Sequence, residues 1–304
     1  MTATLRLGTR RSALAMAQAH LVADAIQALI GGSVELIEIT THGDVSAEPL
    51  ERIGGTGVFV TALRDAVLSG GVDLAVHSYK DLPTAPARGL VIAAVPARED
   101  PRDVLVARDG RKLADLPAGA VVGTGSPRRA AQLRATRPDL DIRPIRGNVD
   151  TRIRLVSSGD VDAVVLARAG LARLGRLDEV AQVLDIDEMV PAPAQGALAV
   201  ECASGTDLAA QLAELDDPAS RAAVEAERAV LAALEAGCSA PVGAYAEATD
   251  SEIFLRATVV STDGAVRVRM STTGPVADPR GLGRSLAAMM LVDGAAALVG
   301  ERHQ

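Results

Sequence analysis

The sequence predicts an α/β protein with two α/β domains, followed by a smaller C-terminal α+β domain. Short apolar runs alternate with segments of helical periodicity as far as about Asp216. After Asp216 the pattern changes to one long helix, two strands and a final helix. The chain has 304 residues, of which 48% are hydrophobic, so it is long enough for two or three domains with substantial cores.

Runs of apolar and β-branched residues predict the strands of the α/β part. These predicted strands cover residues 4–8, 34–40, 72–77, 90–96, 103–107, 121–124, 141–145, 163–166 and 198–202. Helical periodicity falls between most of them and includes residues 12–30, 58–68, 126–137 and 150–158. In the C-terminal part we expect a helix over 221–235, strands over 252–260 and 266–272, and a last helix.

Two proline-containing connections bracket an arginine-rich block in the middle of the chain. They are Glu99-Asp100-Pro101 and Pro191-Ala192-Pro193. Proline stops helices and stiffens the chain, which suits a crossing between domains. Because there are two crossings, we expect the second domain to be inserted into the first. The predicted domains are domain 1 over 1–98 and 194–215, domain 2 over 99–193, and domain 3 over 216–304.

The charge of the chain is unevenly distributed. Its net charge is −8, which disfavours nucleic acid as a partner. The segment from Arg128 to Arg176, however, contains eleven arginines and only five acidic residues. Guanidinium groups bind carboxylate or phosphate bidentately, so this block predicts a small polyanionic ligand. RNA is the alternative, but the chain has no Trp and only two Phe and two Tyr to stack on bases, so we expect no nucleic-acid partner.

Hydropathy and cysteine content favour a cytoplasmic protein without a membrane partner. No stretch approaches the roughly 18 uninterrupted apolar residues of a membrane span, because Gln18, His20 and Asp24 interrupt the first apolar helix. Cys202 and Cys238 are the two cysteines, so no disulfide framework is indicated. A bridge between them is the alternative.

Two loops follow the same plan from a strand into a helix, one in each α/β domain. They are residues 5–12 and 121–129, in which Ser12 and Ser126 are suited to be N-caps and Pro127 to be the first helical residue. For either loop alone, ordinary caps with solvated arginines are an adequate interpretation. Ligands of α/β sheets bind beyond the carboxyl ends of the strands, so the two loops together favour a cleft for an anionic ligand.

Further polar residues follow other predicted strands. His77-Ser78-Tyr79-Lys80-Asp81 comes after the strand at 72–77. Asp81 is either a surface carboxylate paired with Lys80, or an ionised group among cations that stabilises a positively charged intermediate and moves protons. Arg146 and Arg152 flank another strand-to-helix connection, and we expect both to reach the mouth of the cleft.

The two cysteines differ in their predicted surroundings. Cys238 follows the helix at 221–235, with Gly237 as the expected left-handed terminator, and therefore lies in a loop. A helix C-terminus does not activate a thiol, so its position alone favours a structural role for Cys238. Cys202 lies in an apolar strand and is expected in the core. The sequence has no Gly-x-x-x-x-Gly-Lys loop and no metal-ligand cluster, which disfavours a nucleotide transferase and a metal site.

Nine short motifs occur in order along nearly the whole chain. They are Arg10-x-Ser12, Gly54-Gly55-x-Gly57-x-Phe59, His77-Ser78-x-Lys80-Asp81, Glu99-Asp100-Pro101-Arg102-Asp103, Gly123-Thr124-x-Ser126-x-Arg128-Arg129, Arg146-Gly147-Asn148-Val149-x-Thr151-Arg152, Ala169-Gly170-Leu171-x-Arg173-Leu174-Gly175, Pro191-Ala192-x-Ala194-Gln195-Gly196 and Gly237-Cys238. This ordered set resembles the signature of the porphobilinogen deaminase family.

The resemblance implies a fold and a reaction. The first two domains would resemble a periplasmic binding protein and flank a cleft, and the third would carry the cofactor cysteine. Four porphobilinogen molecules would be joined head to tail into hydroxymethylbilane with release of ammonia. The primer would be a dipyrromethane cofactor joined to Cys238 by a thioether. Asp81 would be catalytic: it would assist loss of ammonia, stabilise the azafulvene cation and manage the pyrrole N–H protons.

The resemblance also implies which residues bind the carboxylates of cofactor and substrate. They are Arg10, Ser12, Ser78, Lys80, Thr124, Ser126, Arg128, Arg129, Arg146, Arg152, Arg173 and Gln195. We expect Arg128, Arg129, Arg146 and Arg152 to act on ligand and not on stability. Asp44, Gly57 and Phe59 are expected to form a lid or line the cleft, and the protein is expected to be a monomer. A solute-binding protein without catalysis is the rival class, because it has the same two-domain architecture.

Overall fold

The computed structural model describes residues 4–40, 60–237 and 240–299. The strands in these ranges are β1 (Leu5–Thr9), β2 (Val34–Glu38), β3 (Leu74–Ser78), β4 (Leu90–Ala94), β5 (Asp103–Ala107), β6 (Val121–Gly123), β7 (Asp141–Arg143), β8 (Ala163–Ala167), β9 (Gln182–Val183), β10 (Leu198–Ala203), β11 (Val242–Ala248), β12 (Glu252–Val260) and β13 (Arg267–Pro275). The α-helices are α1 (Ala13–Ile30), α2 (Thr61–Leu68), α3 (Pro127–Thr136), α4 (Val149–Ser158), α5 (Arg168–Arg173), α6 (Asp207–Leu212), α7 (Pro218–Ala233) and α8 (Pro279–Val292).

The chain divides into two compact units. One comprises Met1–Glu99 and Ala197–Arg221, and the other comprises Asp100–Gly196 and Ala222–Gln304. The second unit therefore contains both the arginine-rich block and the C-terminal segment. The three-domain boundaries expected from the sequence stay a prediction.

The first unit is built on a five-stranded sheet with the order β2-β1-β3-β10-β4. Strand β1 is parallel to β2 and β3, and β10 runs antiparallel to both β3 and β4. Because side chains alternate along β3, Leu74 and Val76 pack on α1 whereas Ala75 packs on α2. Cys202 is fully buried in this core, as predicted.

Helix α1 is the one described helix that is long and apolar enough to cross a membrane by length and composition. Its apolar face is used inside the first unit. Val22 and Ile26 lie in the same buried cluster as Leu7 of β1 and Leu74 of β3. One face of α1 therefore packs in the core of the first unit.

The second unit contains a five-stranded sheet of the same design, with the order β7-β6-β8-β5-β9. Strand β6 is parallel to β7 and β8, and β5 runs antiparallel to β8 and β9. Leu105 and Val165 are buried on the side of α3, whereas Val104 and Val164 are buried on the side of α4. The predicted strand at Asp103–Ala107 is confirmed in full, whereas the short strand β9 was missed.

The C-terminal part of the second unit is an antiparallel sheet, β11-β12-β13, covered by α7 and α8. Gly283 lets the two helices approach closely, because a Cβ there would lie 2.3 Å from the carbonyl oxygen of Ala226. The prediction of two strands was wrong, since β11 is a third. Its sequence, Val-Gly-Ala-Tyr-Ala-Glu-Ala, is poor in the β-branched residues that mark strands. The predicted class of two α/β domains and a C-terminal α+β domain is confirmed.

Candidate functional site

In the first unit, the loop from β1 to α1 carries Arg10 and Ser12. The N-cap prediction for Ser12 is confirmed, because its hydroxyl accepts a hydrogen bond from the Ala15 backbone N–H at 3.3 Å. The hydroxyl of Thr9, a fully buried residue, donates to the Ala15 carbonyl oxygen at 3.2 Å. Arg10 is half-buried beside this cap. The helix start is thus fixed by local hydrogen bonds, with a cation next to its free N–H groups.

The second candidate segment of the first unit is the end of β3 and the 3₁₀ turn Tyr79–Asp81 that follows. Gln18 of α1 is buried, and its side-chain amide nitrogen donates to the Ser78 hydroxyl at 3.0 Å. Tyr79 is buried, Lys80 is half-buried and Asp81 is exposed. The turn therefore presents the carboxylate of Asp81 outward from a fixed base. Helix α1 links this segment to Ser12.

In the second unit, the N-terminus of α3 gathers several predicted site residues. Ser126 is the N-cap, as predicted, and accepts from the Arg129 backbone N–H at 3.4 Å, while Pro127 is the first helical residue. The buried hydroxyl of Thr124 accepts from the Ser126 backbone N–H at 3.2 Å. A Cβ on Gly125 would lie 2.6 Å from the Ile145 carbonyl oxygen, so only glycine fits there. The loop is closely packed around a helix start that suits an anion.

Arg128 and Arg129 converge on the carboxylate of Asp103 at the start of β5. Arg128 is 3% exposed, Arg129 is 5% exposed and Asp103 is fully buried. Burial alone would raise the pKa of Asp103, but the charges of Arg128 and Arg129 hold it well below its usual range. The structure thus adds a structural role that the sequence had not suggested: both guanidinium groups are committed to a buried carboxylate.

Backbone oxygens accept further hydrogen bonds from these two guanidinium groups, although the buried Nε of Arg128 has no hydrogen-bond partner among the described residues. Arg128 donates to the Val190 carbonyl oxygen at 2.6 Å, and Arg129 donates to the Val165 carbonyl oxygen at 3.0 Å. Gln132, one turn further along α3, binds the backbone of Val190 with both atoms of its amide. These hydrogen bonds therefore hold one side of α3 against the sheet and against the segment that contains Val190.

Gln195 and Arg173 stabilise the segment that leads out of the arginine-rich block. The buried amide of Gln195 donates to the Pro101 carbonyl oxygen at 2.7 Å and to Asp103 at 2.8 Å. Arg173 donates to the Gly196 carbonyl oxygen at 2.6 Å. Gln195 therefore joins the same carboxylate as the two arginines. Its preceding residue, Ala194, is left-handed at φ +62°.

Arg146 and Arg152 stand at the other strand-to-helix connection of the second sheet. Asn148 is the N-cap of α4, and its side-chain oxygen accepts a hydrogen bond from the Thr151 backbone N–H at 2.9 Å. Arg146 is exposed and Arg152 is half-buried. Burial, together with the charges of Arg129 and Arg146, lowers the pKa of Arg152 to about 10. The buried Nε of Arg152 has no hydrogen-bond partner among the residues that the structure describes.

This cation cluster is the feature of the site that calls for a ligand. Guanidinium groups are normally buried only when they pair with an anion. The charges that act on the pKa of Arg152 are instead those of two other cations, Arg129 and Arg146. An anion bearing several carboxylates would supply the missing charge and a partner for Nε. The residues present therefore fit a polycarboxylate cofactor or substrate. In the described parts of the chain, no group of three or more His, Cys, Asp and Glu side chains could hold a metal ion.

Four predicted site residues lie outside the described residues: Asp44, Gly57, Phe59 and Cys238. The helix that precedes Cys238 ends at Ala233, and the left-handed residue after it is Glu235, at φ +52°. The Ala236 backbone N–H then bonds the Leu231 carbonyl oxygen at 3.1 Å, which is a Schellman-type ending. The prediction that Gly237 terminates this helix was therefore wrong by two positions.

Two residues of the site were missed. Asp103 belongs to one of the nine motifs, but no role was predicted for it. An acidic residue at the start of an apolar strand is a recognisable sign of a buried ion pair. Gln18 was treated as an interruption of an apolar helix. Its place on the buried face of α1, between Ala15 and Val22, was the signal that its amide has an internal partner.

The chain is similar to porphobilinogen deaminases over nearly its whole length. A family model described as "Porphobilinogen deaminase, dipyromethane cofactor binding domain" matches residues 5–211, and "Porphobilinogen deaminase, C-terminal domain" matches residues 221–292. Porphobilinogen deaminase 1 of Streptomyces coelicolor is 62% identical, over 99% of this chain and 98% of that protein. The porphobilinogen deaminase of Mycobacterium tuberculosis is 56% identical, over 98% of this chain and 100% of that protein.

Solved structures with a similar fold include a periplasmic substrate-binding protein of an ABC transporter from Coxiella burnetii. It has a TM-score of 0.44 and 16% identity, and covers 72% of this chain and 94% of its own. Immunogenic lipoprotein A from Vibrio vulnificus has a TM-score of 0.43 and 13% identity, and covers 69% of this chain and 94% of its own.

The matched models and relatives define an enzyme class, the transferases of tetrapyrrole synthesis that carry a dipyrromethane cofactor. The chain belongs to the porphobilinogen deaminase family. Porphobilinogen is the substrate of this family. The resemblance read from nine motifs is thereby confirmed.

Proposed function

We propose that the chain catalyses the hydroxymethylbilane synthase reaction, in which four porphobilinogen molecules are joined head to tail with release of ammonia. The observation that carries the proposal is the cluster of Arg129, Arg146 and Arg152, in which burial, together with repulsion from the other two arginines, lowers the pKa of Arg152 to about 10. Substrate and product of this reaction carry carboxylates on every pyrrole ring. A site in which neighbouring cations and burial act against the charge of Arg152 matches that chemistry.

The proposed binding residues come from both units. Arg10, Ser12, Ser78 and Lys80 belong to the first unit, and the second contributes Thr124, Ser126, Arg128, Arg129, Arg146, Arg152, Arg173 and Gln195. Among the arginines, Arg146 and Arg152 bind carboxylates directly. Arg128 and Arg129 also hold the N-terminus of α3 in place through Asp103. Arg173 and Gln195 fix the segment that follows the arginine-rich block.

Asp81 is the proposed catalytic residue. Asp81 is exposed at the end of a turn that begins with the buried residue Tyr79, so its carboxylate is accessible to a substrate. An ionised carboxylate stabilises the positive charge that develops on a pyrrole ring as ammonia leaves, and it can accept and return the pyrrole N–H proton. Lys80, beside Asp81 in the sequence, is proposed to bind substrate carboxylates.

Cys238 is the proposed attachment point of the dipyrromethane cofactor, through a thioether. When bound, this group supplies the primer to which pyrrole units are added. The helix that leads to Cys238 ends in a well-formed cap at Glu235, which starts the loop at a defined position. Cys202 is a poor alternative, since it is fully buried and burial raises its thiol pKa.

The remaining features of the proposal concern the setting of the reaction. We infer a cytoplasmic protein that acts without a nucleic-acid or membrane partner, on the strength of its acidic charge and of the packing of one face of α1 in the first unit. We also propose that it is a monomer. Asp44, Gly57 and Phe59 are proposed to act as a lid or to line the cleft. The domains proposed are 1–98 with 194–215, 99–193, and 216–304.

Intact-mass analysis of the unfolded, reduced protein tests the proposal. A thioether survives denaturation and thiol reductants, so we expect a mass above that of the polypeptide by two pyrrole units, mapping to the peptide that contains Gly237-Cys238-Ser239. Cys238→Ser should lose both adduct and activity. Cys202→Ser, the matched control, should keep both. An active wild-type protein with the bare polypeptide mass would contradict the proposal.

A further inference from the structure

A buried ionic group joins α2, β3 and β10 in the first unit, apart from the residues assigned to ligand. Arg64 of α2 donates three hydrogen bonds to Glu201 of β10: Nε to Oε1 at 3.1 Å, Nε to Oε2 at 3.0 Å, and Nη2 to Oε1 at 2.8 Å. Nε2 of His77 on β3 lies 3.1 Å from Oε2 of Glu201, without hydrogen-bond alignment. The side chains of Arg64, Glu201 and His77 are 16%, 2% and 3% exposed.

Strand register explains why these groups meet. His77 pairs with Ala199 and Ala75 pairs with Glu201, so His77 and Glu201 are diagonal neighbours on one face of the sheet. Ala75, on the same face, is buried against α2. The ionic group therefore lies between the sheet and α2, on the face opposite to α1.

The group depends on the negative charge of Glu201. Burial acts to raise the pKa of Glu201, but the contacts with His77 and Arg64 outweigh it and hold that pKa below its usual range. Removal of the charge would leave the guanidinium of Arg64 and the ring of His77 without their common partner. The Glu201 carboxylate of β10 therefore connects this strand to α2 and to β3.

One of these elements, β3, leads directly to a proposed functional segment. His77 is followed by Ser78 and by the turn that carries Lys80 and Asp81. Arg64 lies in the first turn of α2, whose N-cap, Val60, makes no side-chain capping bond. Through Arg64, the first turn of α2 is tied to Glu201. The same carboxylate holds the end of β3.

We propose that Glu201 is a positioning residue for the reaction: through His77 and Arg64 it fixes the direction in which β3 delivers Asp81, and it fixes the point at which the chain enters α2. The proposal rests on the proposed catalytic function of Asp81. Glu201 touches no substrate. Its effect on the rate passes through the placement of the Asp81 carboxylate, for which an error of about 1 Å can cost up to ~100-fold in rate.

Glu201→Gln in the full-length, cofactor-loaded protein tests the proposal, because it keeps the shape of the side chain and removes its charge. We expect kcat to fall about tenfold, KM to change less than about twofold, and the intact mass to keep the cofactor adduct. The matched control is Asp73→Asn. Asp73 forms the same kind of fork with Arg6, at 2.8 and 3.3 Å, but at the opposite end of β3. This control should keep the wild-type kcat.

A double-mutant cycle separates positioning from general destabilisation. If Glu201 acts through Asp81, adding Glu201→Gln to Asp81→Ala should cost no further activity. A second tenfold loss in the Asp81→Ala background, or a wild-type kcat in folded Glu201→Gln, overturns the proposal while leaving the assignment of Asp81 intact. A wild-type rate for Asp81→Ala alone refutes the assignment of Asp81, and the positioning proposal with it.

Arg64→Lys provides a second variant if Glu201→Gln does not fold. Lysine keeps the charge beside Glu201 but cannot form the fork. We expect a smaller loss of kcat, about threefold, that again disappears in the Asp81→Ala background. An unchanged kcat in folded Arg64→Lys, together with an unfolded Glu201→Gln, would show a purely structural role and overturn the proposal.

Discussion

Arg129 and Asp103 form a doubly hydrogen-bonded ion pair inside the second unit: Nε and Nη2 of Arg129 donate to Oδ1 of Asp103 at 3.1 and 2.8 Å. Nη2 of Arg128 lies 2.8 Å from the other oxygen, Oδ2. Gln195 adds a third side chain to the same carboxylate. Because both arginines stand in the first turn of α3, Asp103 fixes the helix start at which Thr124 and Ser126 are also found. The residues proposed to bind ligand at this helix start therefore also contribute to stability.

Asp103→Asn should destabilise the protein strongly. It leaves two buried guanidinium groups without a counter-charge, and breaking a buried pair in this way costs about 3–5 kcal/mol of unfolding free energy. Asp141→Asn is the control, since Asp141 pairs with Arg143 on the surface of the same sheet and should cost less than ~1 kcal/mol. Urea unfolding followed by circular dichroism measures both.

The pH dependence of the Asp103 contribution has a definite sign. The folded-state pKa of Asp103 is depressed, so its contribution is fully present above the unfolded-state pKa of about 4 and is lost as pH falls through the lower, folded-state pKa. The difference in unfolding free energy between wild type and Asp103→Asn should be constant from pH 5 to 8 and shrink below about pH 4. A difference that instead grew on acidification would contradict the pairing.

Arg128→Lys and Arg129→Lys should each lower the melting temperature by several degrees. Lysine keeps the charge but cannot bind Asp103 together with the carbonyl oxygen of Val190 or Val165. Arg146→Lys, at an exposed position, should leave the melting temperature unchanged while reducing cofactor loading. The sequence-based expectation was that these arginines act on ligand and not on stability. We now expect the buried Arg128 and Arg129 to stabilise the fold as well, and the exposed Arg146 not to. Equal melting temperatures for all three variants would count against that division.

Sequence patterns identified the elements that depend on local signals. The caps at Ser12 and Ser126 follow from side chains that bond their own helix starts, and the apolar run of β5 marks a buried strand. What the patterns could not supply was long-range pairing. The partner of Arg129 lies 26 residues away, and that of Arg64 lies 137 residues away. Strand β11 was missed because alanine and glycine form a strand there only through tertiary packing.

Arg152→Met should stabilise the protein that lacks the cofactor. The folded-state pKa of about 10 lies below the ordinary value of 12.5, so the charged form is disfavoured in the fold at every pH below about 10. Methionine keeps aliphatic volume and removes this charge. On the Cys238→Ser background we expect a gain on the order of 1 kcal/mol after discounting for solvent screening. Thermal unfolding at pH 7 measures it.

With Cys238 intact, the same substitution should have the opposite effect on function. Arg152→Met removes a carboxylate-binding group, so the intact-mass spectrum should show less cofactor adduct than in wild type. Arg154→Met is the control, because Arg154 lies on the same helix and is exposed. If Arg152→Met were destabilising without cofactor and fully loaded with it, Arg152 would be a structural residue.

Asp81→Ala should keep the fold and the cofactor but lose turnover by at least about 100-fold, the contribution typical of a general acid–base group. Asp81 is exposed, so its removal costs little stability, and Ser78 and Tyr79 keep their hydrogen bonds to Gln18 and Ala197. Asp81→Glu retains a carboxylate on a longer side chain and should recover part of the rate, whereas Asp81→Asn should not. Steady-state rates, intact mass and melting temperature, measured on all three variants, separate a catalytic role from a structural one. Near-normal product formation by folded, cofactor-loaded Asp81→Ala would exclude Asp81 as the catalytic group, because no charge at this turn would then be needed as ammonia leaves.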